Sequence, residues 1–202
     1  MNRKSPGRGK VLLVGITGHR PNRLPPEEHG RIRRQLSQTM ARIEKANPGV
    51  QPVLVTGLAE GADRLASFVA LGRQWPLHAV LAFHRSRFEE DFADAYSLGE
   101  FRTLLAVASE VVEPEPKWHR GRIAEDGYDA VGNWLIRGCD VIIAVWDGEA
   151  SRGRGGTVGV IDGARAFGIP VVWIHATTAQ APRRLPPTKT SNGVRRGRQP
   201  VK

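Results

Sequence analysis

Short runs of almost uninterrupted apolar residues dominate the sequence and alternate with amphipathic stretches. The runs are Val11–Ile16, Val53–Thr56, His78–Phe83, Val141–Trp146 and Val171–Ile174, with a weaker sixth at Glu110–Val112. A strand with one solvated face alternates apolar and polar residues, but these runs are apolar at nearly every position. Such runs indicate burial on both faces and therefore parallel strands. We predict an α/β fold with a doubly wound, mainly parallel sheet and helices on both of its faces.

Helical periodicity fills the intervals between the apolar runs. After Pro25-Pro26, the side chains of Ile32, Leu36, Met40 and Ile43 fall on one face of a helix, which Asn47-Pro48-Gly49 ends. Comparable patterns predict helices from residue 62, over residues 87–107, before residue 139 and from residue 157. The last of these is expected to end at Gly168, directly before Pro170.

Basic residues are concentrated at the two ends of the chain. The 202 residues carry a formal net charge of +10, yet residues 1–10 and 182–202 contain eleven Lys and Arg residues and no acid, so residues 11–181 are nearly neutral. We expect a disordered basic N-terminus (1–10), one folded domain (11–181) and a disordered basic tail (182–202). The ends provide for weak contact with nucleic acid, whereas the neutral domain argues against a folded DNA-binding face.

Several classes of protein are excluded or disfavoured. A single cysteine, Cys139, rules out an intramolecular disulfide framework and a cysteine zinc cluster. The six histidines show no metal-ligand spacing, so we expect no metal and no required cofactor. The longest apolar run, Val141–Trp146, is far shorter than the ~20 residues that span a bilayer, so no membrane contact is expected. The apolar N-terminal segment is too short for a secretory signal, which favours a cytoplasmic protein.

Small residues follow three of the predicted strands. The loops are Gly15–Pro21, Thr56–Asp63 and the segment from Trp146 to Thr157. Parallel strands bring their carboxyl ends to one edge of the sheet, where open α/β sheets bind ligands. Glycines let backbone N–H groups approach an anion, and a helix that opens after the loop adds its positive end. Each loop alone is explained as well by tight turn geometry, but three at one edge favour a ligand site.

The residues of these loops, taken together, resemble a known family. Thr17-Gly18-His19-Arg20, the segment Thr56–Asp63, Cys139-Asp140 leading into Ala144–Gly148, and Gly155-Gly156-Thr157 are similar to motifs of the SLOG superfamily. This group has a Rossmann-like fold and includes the LOG proteins and the DprA-type DNA-processing proteins. The resemblance covers roughly residues 11–175 and implies binding of nucleotides or nucleotide derivatives.

One position departs from the LOG pattern. LOG enzymes cleave the N-glycosidic bond of nucleoside monophosphates, and their motif continues from Gly-x-Gly-Thr through two residues to a glutamate. The corresponding residue here is Val160, which cannot stabilise an oxocarbenium-like state or orient water. Glu60, Asp63 and Asp147 are the candidate replacements for a catalytic acid, although Asp63 fits a helix-capping role equally well.

Further candidates surround the three loops. Arg20 is suited to a phosphate and His19 to a base or ribose, while Asn133 precedes the fifth strand on a helix. A segment with Trp118, His119, Arg120 and Arg122 offers an aromatic ring for base stacking, or simply a cover for the core. The predicted ligand-binding residues are Gly15, Thr17, Gly18, His19, Arg20, Thr56, Gly57, Ala59, Gly61, Ala62, Asp63, Asn133, Trp146, Asp147, Gly148, Gly153, Gly155, Gly156 and Thr157.

The favoured function is a sensor or regulatory domain for a nucleotide or nucleotide-derived small molecule. A LOG-like nucleotide phosphoribohydrolase is the first alternative, and DprA-like single-stranded DNA binding is the second. A carboxylate that faces the pocket would favour the enzyme, and a basic groove would favour DNA binding. The expected partner is a small nucleotide ligand, and homo-oligomerisation is left open.

Overall fold

The computed structural model describes residues 10–92, 94–114, 123–150 and 156–188. Six of its seven strands coincide with the apolar runs of the sequence, with ends that differ by a few residues. The strands are β1 (Val11–Gly18), β2 (Gln51–Thr56), β3 (Leu77–Val80), β4 (Glu110–Val112), β5 (Val141–Trp146), β6 (Val171–His175) and β7 (Arg183–Leu185).

Six α-helices connect these strands. They are α1 (His29–Ala46), α2 (Ala62–Gly72), α3 (Arg85–Glu89), α4 (Ala95–Val107), α5 (Ile123–Gly138) and α6 (Gly156–Ala166). The region predicted as helical over residues 87–107 forms two helices, α3 and α4, with a break between them. Asp94 starts α4 by accepting a hydrogen bond from the Ser97 N–H at 2.7 Å, which is an N-cap. No helix in the described parts of the chain is long and apolar enough to cross a membrane.

The strands form one sheet in the order β4-β3-β2-β1-β5-β6-β7. All neighbouring pairs are parallel except β6 and β7. The chain runs from β1 outward through β2 and β3 to β4, and then crosses back to β5 on the other side of β1. The β1–β5 pair is therefore the topological switch point, and ligands of such sheets bind beyond its carboxyl end. The predicted α/β Rossmann-like fold with helices on both faces is confirmed.

Apolar side chains pack on both faces of the sheet, as the continuous apolar strands require. One core cluster includes Leu36, Leu65 and Phe101, from α1, α2 and α4. The other includes Leu135 and Ile161, from α5 and α6. Alternate residues of the central strands supply the two clusters, which explains why these strands show no polar face.

The C-terminal part of the domain extends further than the sequence pattern indicates. Arg183–Leu185 forms β7, which pairs antiparallel with Val171–Trp173 of β6. Leu185 packs against the second core cluster, and Arg165 of α6 donates a hydrogen bond to the Pro186 carbonyl at 2.7 Å. The predicted disorder from residue 182 is therefore wrong for this strand. An edge strand of three residues with one inward side chain is too short to show periodicity. The rest of the predicted tail, residues 189–202, lies outside the described residues.

Two truncations test the contribution of β7. Ending the chain after Ala181 removes the strand, and we expect the free energy of unfolding to fall by roughly 1–2 kcal/mol, because Leu185 burial and the β6–β7 hydrogen bonds are lost. Ending it after Thr188 keeps β7 and should leave the thermal midpoint nearly unchanged. Circular dichroism measures the first by urea unfolding and the second by thermal unfolding. Equal stability of the two truncated chains would show that β7 contributes nothing.

Candidate functional site

A pocket of about 460 Å³ opens at the carboxyl ends of the central strands, at the predicted switch point. Its wall combines the loop after β1, the loop after β2, the inner face of α5 and the first turn of α6. The lining residues are Ile16, Thr17, Gly18, His19, Arg20, Asn22, Arg23, Gly57, Ala59, Asp63, Ala82, Tyr128, Val131, Gly132, Leu135, Gly156, Thr157, Val158 and Val160.

The loops after β1 and β2 lie in backbone contact beside this pocket. The Ala62 N–H donates a hydrogen bond to the His19 carbonyl at 3.1 Å. A Cβ added at Gly18 would collide with the Ala62 side chain, and a Cβ added at Gly61 would collide with the His19 carbonyl. Gly61 also has a φ of +90°, which L side chains rarely adopt. Glycine is therefore required at both positions for the two loops to meet.

Asp147 ties the loop after β5 to the loop after β1. Its carboxylate accepts hydrogen bonds from Arg23 Nε at 2.8 Å and Arg23 Nη2 at 2.7 Å. Oδ1 of Asp147 also lies 2.9 Å from Nε2 of the buried His19. Desolvation by itself would raise the pKa of Asp147, but hydrogen bonds from His19, the Glu149 N–H and Arg23 outweigh it and lower the pKa to about 2. This carboxylate is therefore an ionised structural clamp.

Asp63 is the acidic residue of the pocket wall. It lies in the first turn of α2, and its Oδ2 accepts a hydrogen bond from the Gly57 N–H at 3.1 Å. Desolvation raises the pKa of Asp63 to about 7, against the opposing effects of the Ala59 and Gly57 N–H groups and of the Arg20 and Arg64 charges. A carboxyl group with a pKa near neutrality is able to donate or accept a proton under physiological conditions.

Glu60 is turned away from the pocket. Its carboxylate accepts a hydrogen bond from the Ser97 hydroxyl of α4. The buried Arg64 donates to the Ser97 carbonyl and hydroxyl, both at 2.8 Å, and its guanidinium lies 4.5 Å from the centre of the Phe92 ring. Glu60 therefore contributes to the attachment of α4 to α2. Of the three candidate acids, Asp63 alone lines the pocket.

An aromatic and apolar wall faces these polar groups. Tyr128, Val131 and Leu135 of α5 line it, and the Arg20 guanidinium lies 4.7 Å from the centre of the Tyr128 ring. These three residues are not among those predicted from the sequence. Their spacing of i, i+3 and i+7 is the signal that would have found them, because it places them on one face of a helix. Arg23, Asn22, Ala82, Gly132 and Val158 were also missed.

The first turn of α6 completes the pocket. Gly156, with a φ of +75°, Thr157 and Val158 all line it, so the positive end of an eleven-residue helix faces the cavity. Val160 also lines the pocket and is only 6 % exposed. The position at which the LOG motif has glutamate is therefore apolar and faces the same cavity.

The predicted binding residues divide into three groups. Those that line the pocket are Thr17, Gly18, His19, Arg20, Gly57, Ala59, Asp63, Gly156 and Thr157. Those that do not line it are Gly15, Thr56, Gly61, Ala62, Asn133, Trp146, Asp147 and Gly148. Those outside the described residues are Gly153 and Gly155, and the further candidates Trp118, His119, Arg120 and Arg122 also lie outside them.

Several residues of the second group have structural contacts. A Cβ at Gly15 would lie 3.0 Å from the Cys139 sulfur, so this glycine permits close packing of α5. The Thr56 hydroxyl accepts from the Leu58 N–H at 3.1 Å and shapes the turn. Trp146 packs against Trp173 with ring centres 5.3 Å apart, and its indole N–H donates to the Glu149 carbonyl. Asn133 is exposed on α5.

Neither the single cysteine nor the potential metal ligands of the described residues offer a reactive centre. Cys139 is buried, and desolvation raises its thiol pKa strongly, so it is a poor nucleophile. Within residues 10–92, 94–114, 123–150 and 156–188, no group of three or more His, Cys, Asp or Glu side chains is arranged to hold a metal ion.

Comparisons with known proteins find similarity at the level of the fold. The X-ray structure of DNA processing protein A (DprA) from Streptococcus pneumoniae matches with a TM-score of 0.55 and 18% identity, over 81% of this chain and 50% of that chain. The X-ray structure of TM1055, a Northeast Structural Genomics Consortium target, matches with a TM-score of 0.47 and 20% identity. The match covers 79% of this chain and 72% of that chain. No protein-family model and no curated protein matches the sequence.

The DprA similarity agrees with the resemblance drawn from the sequence motifs. At 18% identity the match shows the fold alone, and this chain spans about half of the DprA chain. The Rossmann-like fold expected of a SLOG-type domain is therefore confirmed, and the function has to be argued from the pocket itself.

The Asp147 clamp predicts a pH-dependent loss of stability on substitution. The pKa of Asp147 is about 2 in the folded chain against a reference value of 3.8, so its ionised form stabilises the fold above pH 4, and this effect is lost as the pH falls toward 2. We expect Asp147→Asn to lower the free energy of unfolding by about 2 kcal/mol at pH 7 and by much less near pH 2. Urea unfolding at the two pH values measures this. A loss of the same size at both would show that side-chain shape, not charge, is responsible.

Proposed function

We propose that the pocket binds a nucleotide or a nucleotide-derived small molecule and that the domain acts as a sensor or regulatory module for it. The observation that carries this proposal is the pairing, within one cavity, of the α6 N-terminus with the apolar wall of α5. A helix N-terminus offers unpaired N–H groups and a positive dipole end to a phosphate. An aromatic and aliphatic wall offers a surface for a base.

The charges of the pocket support an anionic ligand. Arg20 lines the wall, and its guanidinium is positioned by the Tyr128 ring. Arg23 also lines the pocket, but Asp147 neutralises it through two hydrogen bonds. Arg20 is therefore the cation available to a phosphate group. The apolar Val160 at the position of the LOG glutamate favours binding over hydrolysis.

Removal of the Arg20 charge should weaken binding of a phosphorylated ligand. We expect AMP to bind Arg20→Gln roughly 10- to 100-fold more weakly than the unaltered protein, because a charge-assisted hydrogen bond contributes about 1.5–3 kcal/mol. The affinity for adenosine, which lacks the phosphate, should fall much less on the same substitution. Titration calorimetry with AMP, adenosine, NAD and ADP-ribose measures the affinities. Arg102→Gln, on the exposed face of α4, is the charge-matched control.

A glycine pair in α6 gives an independent check of the same site. Gly156 lines the pocket, whereas Gly159, one turn later, is exposed and does not line it. Gly156→Val should reduce AMP binding while Gly159→Val retains it. The pocket would be removed from the function if AMP, NAD and ADP-ribose bound Arg20→Gln and Gly156→Val as tightly as the unaltered protein. It would also be removed if the unaltered protein bound none of the probes.

A second function is favoured by one specific observation, the Asp63 carboxyl in the pocket wall. With its pKa near 7, this group is suited to general acid–base catalysis. In a nucleotide N-glycosidic hydrolase, water would add to the anomeric carbon as the C–N bond breaks, and the base would leave with a proton. Asp63 is the acid in reach of that chemistry, because Glu60 and Asp147 have other hydrogen-bond partners.

We nevertheless expect little or no release of base from nucleoside monophosphates or NAD. Val160 provides no charge at the position of the LOG acid, and loss of one such electrostatic contact costs about 10²–10³ in rate. Chromatography of the free base, with purified protein at micromolar concentration, measures turnover. Turnover that falls at least 100-fold in Asp63→Asn, with AMP binding retained, would establish the hydrolase and refute the sensor. Glu60→Gln is the control acid outside the pocket.

A further inference from the structure

The outer face of α1 carries a row of four exposed polar residues, three of which are cations. Arg34, Gln38, Arg42 and Lys45 follow one another at intervals of four, four and three residues, and all four are exposed. At 1.5 Å per residue the row extends over roughly 16 Å on one side of the helix. Arg33, which is also exposed, flanks it. We call Arg34, Gln38, Arg42 and Lys45 the α1 basic row.

The acids near this row already have partners. Glu28 pairs with Arg31, and Glu44 pairs with Arg73 of α2. In the described parts of the chain, no ion pair involves Arg33, Arg34, Arg42 or Lys45. The row is therefore a patch of uncompensated positive charge, although residues 11–181 as a whole are nearly neutral. Such a patch attracts polyanions.

The chain start adds to the same charge. The Gln51 N–H, five residues after the end of α1, donates a hydrogen bond to the Lys10 carbonyl at 3.0 Å. Lys10 therefore enters the fold near the end of α1 at which Lys45 lies. The ten residues up to this point contain Arg3, Lys4, Arg8 and Lys10 and no acid. Lys10, the first described residue, therefore lies near the Lys45 end of the α1 basic row.

The chemistry of the row favours nucleic acid over a membrane surface. A helix that lies on a bilayer inserts large apolar side chains beside its cations. The large hydrophobic side chains of α1 are buried in the core, and none of those exposed among the described residues belongs to this helix. Contact with a phosphodiester backbone needs only cations and hydrogen-bond donors, which Arg, Lys and Gln supply.

We propose that the α1 basic row is a binding surface for the phosphate backbone of nucleic acid, separate from the pocket. Its contacts are electrostatic, made by the three cations and the Gln38 amide to phosphate oxygens. The row lies along the outside of a helix and forms no cavity, unlike the pocket. The proposal does not depend on nucleotide binding in the pocket.

The salt dependence of binding tests this proposal on the full chain. Fluorescence anisotropy with a labelled 30-nucleotide single strand, and with the matching duplex, is measured from 50 to 300 mM NaCl. Each cation in contact with phosphate contributes about 0.7 to the slope of log K against log salt for single strands and about 0.9 for duplex. We expect the triple variant Arg34→Gln/Arg42→Gln/Lys45→Gln to lower the magnitude of the slope by about 2–3 and to weaken binding at least tenfold at 100 mM NaCl.

A charge-matched control separates the row from net charge. Arg87→Gln/Arg102→Gln/Arg137→Gln removes three charges from α3, α4 and α5 and should keep the original slope. Equal losses in both triple variants, an unchanged slope in the α1 variant, or no binding by the unaltered chain at 50 mM NaCl would each overturn the proposal. So would binding to phosphatidylserine vesicles in the absence of oligonucleotide binding. Unchanged AMP affinity in the α1 variant would show that the pocket is independent of the row.

Discussion

The backbone contact between the loops after β1 and β2 is the constraint on which the pocket depends. The Ala62 N–H and the His19 carbonyl meet at 3.1 Å, which requires that Gly18 and Gly61 carry no side chain. This contact sets the start of α2 beside the end of β1. As a result, Asp63 in the first turn of α2 and Arg20 after β1 line one cavity. Glycine at these positions serves loop packing first, and any ligand contact follows from it.

Charge pairing determines which polar groups of this edge are available for chemistry. Asp147 is held by Arg23 and His19 and remains ionised as a clamp between two loops. Glu60 is held by Ser97 and belongs to the attachment of α4. Asp63 accepts hydrogen bonds from backbone N–H groups, which carry no titratable proton. Desolvation keeps the pKa of its carboxyl near 7. Burial and partners, not residue type, therefore separate the carboxyl with a raised pKa, Asp63, from Asp147, whose pKa is lowered, and from Glu60, which is held by Ser97.

The position of Val160 bears on the balance between binding and catalysis. It faces the cavity from α6 and is almost fully buried. A charged residue there would lie beside the aromatic and aliphatic wall of α5. The pocket thus combines a polar part, formed by the β1 and β2 loops and the N-terminus of α6, with an apolar part, formed by α5 and Val160. This division fits a ligand with an anionic part and a ring, and the proposed nucleotide class follows from it.

The sequence by itself determined the sheet, most helices and the edge at which the site lies. Strands buried on both faces have apolar residues at nearly every position, and this local signal does not depend on the partners of the strand. The tertiary structure decided which of three acids faces the pocket, because Glu60, Asp63 and Asp147 differ in their neighbours and not in local pattern. It also decided β7, whose three residues are too few for periodicity. The net charge of residues 11–181 does not reveal the α1 basic row, because it is a sum over the whole domain. A charged surface depends instead on which charges lie together and which are paired, and only the tertiary structure decides this.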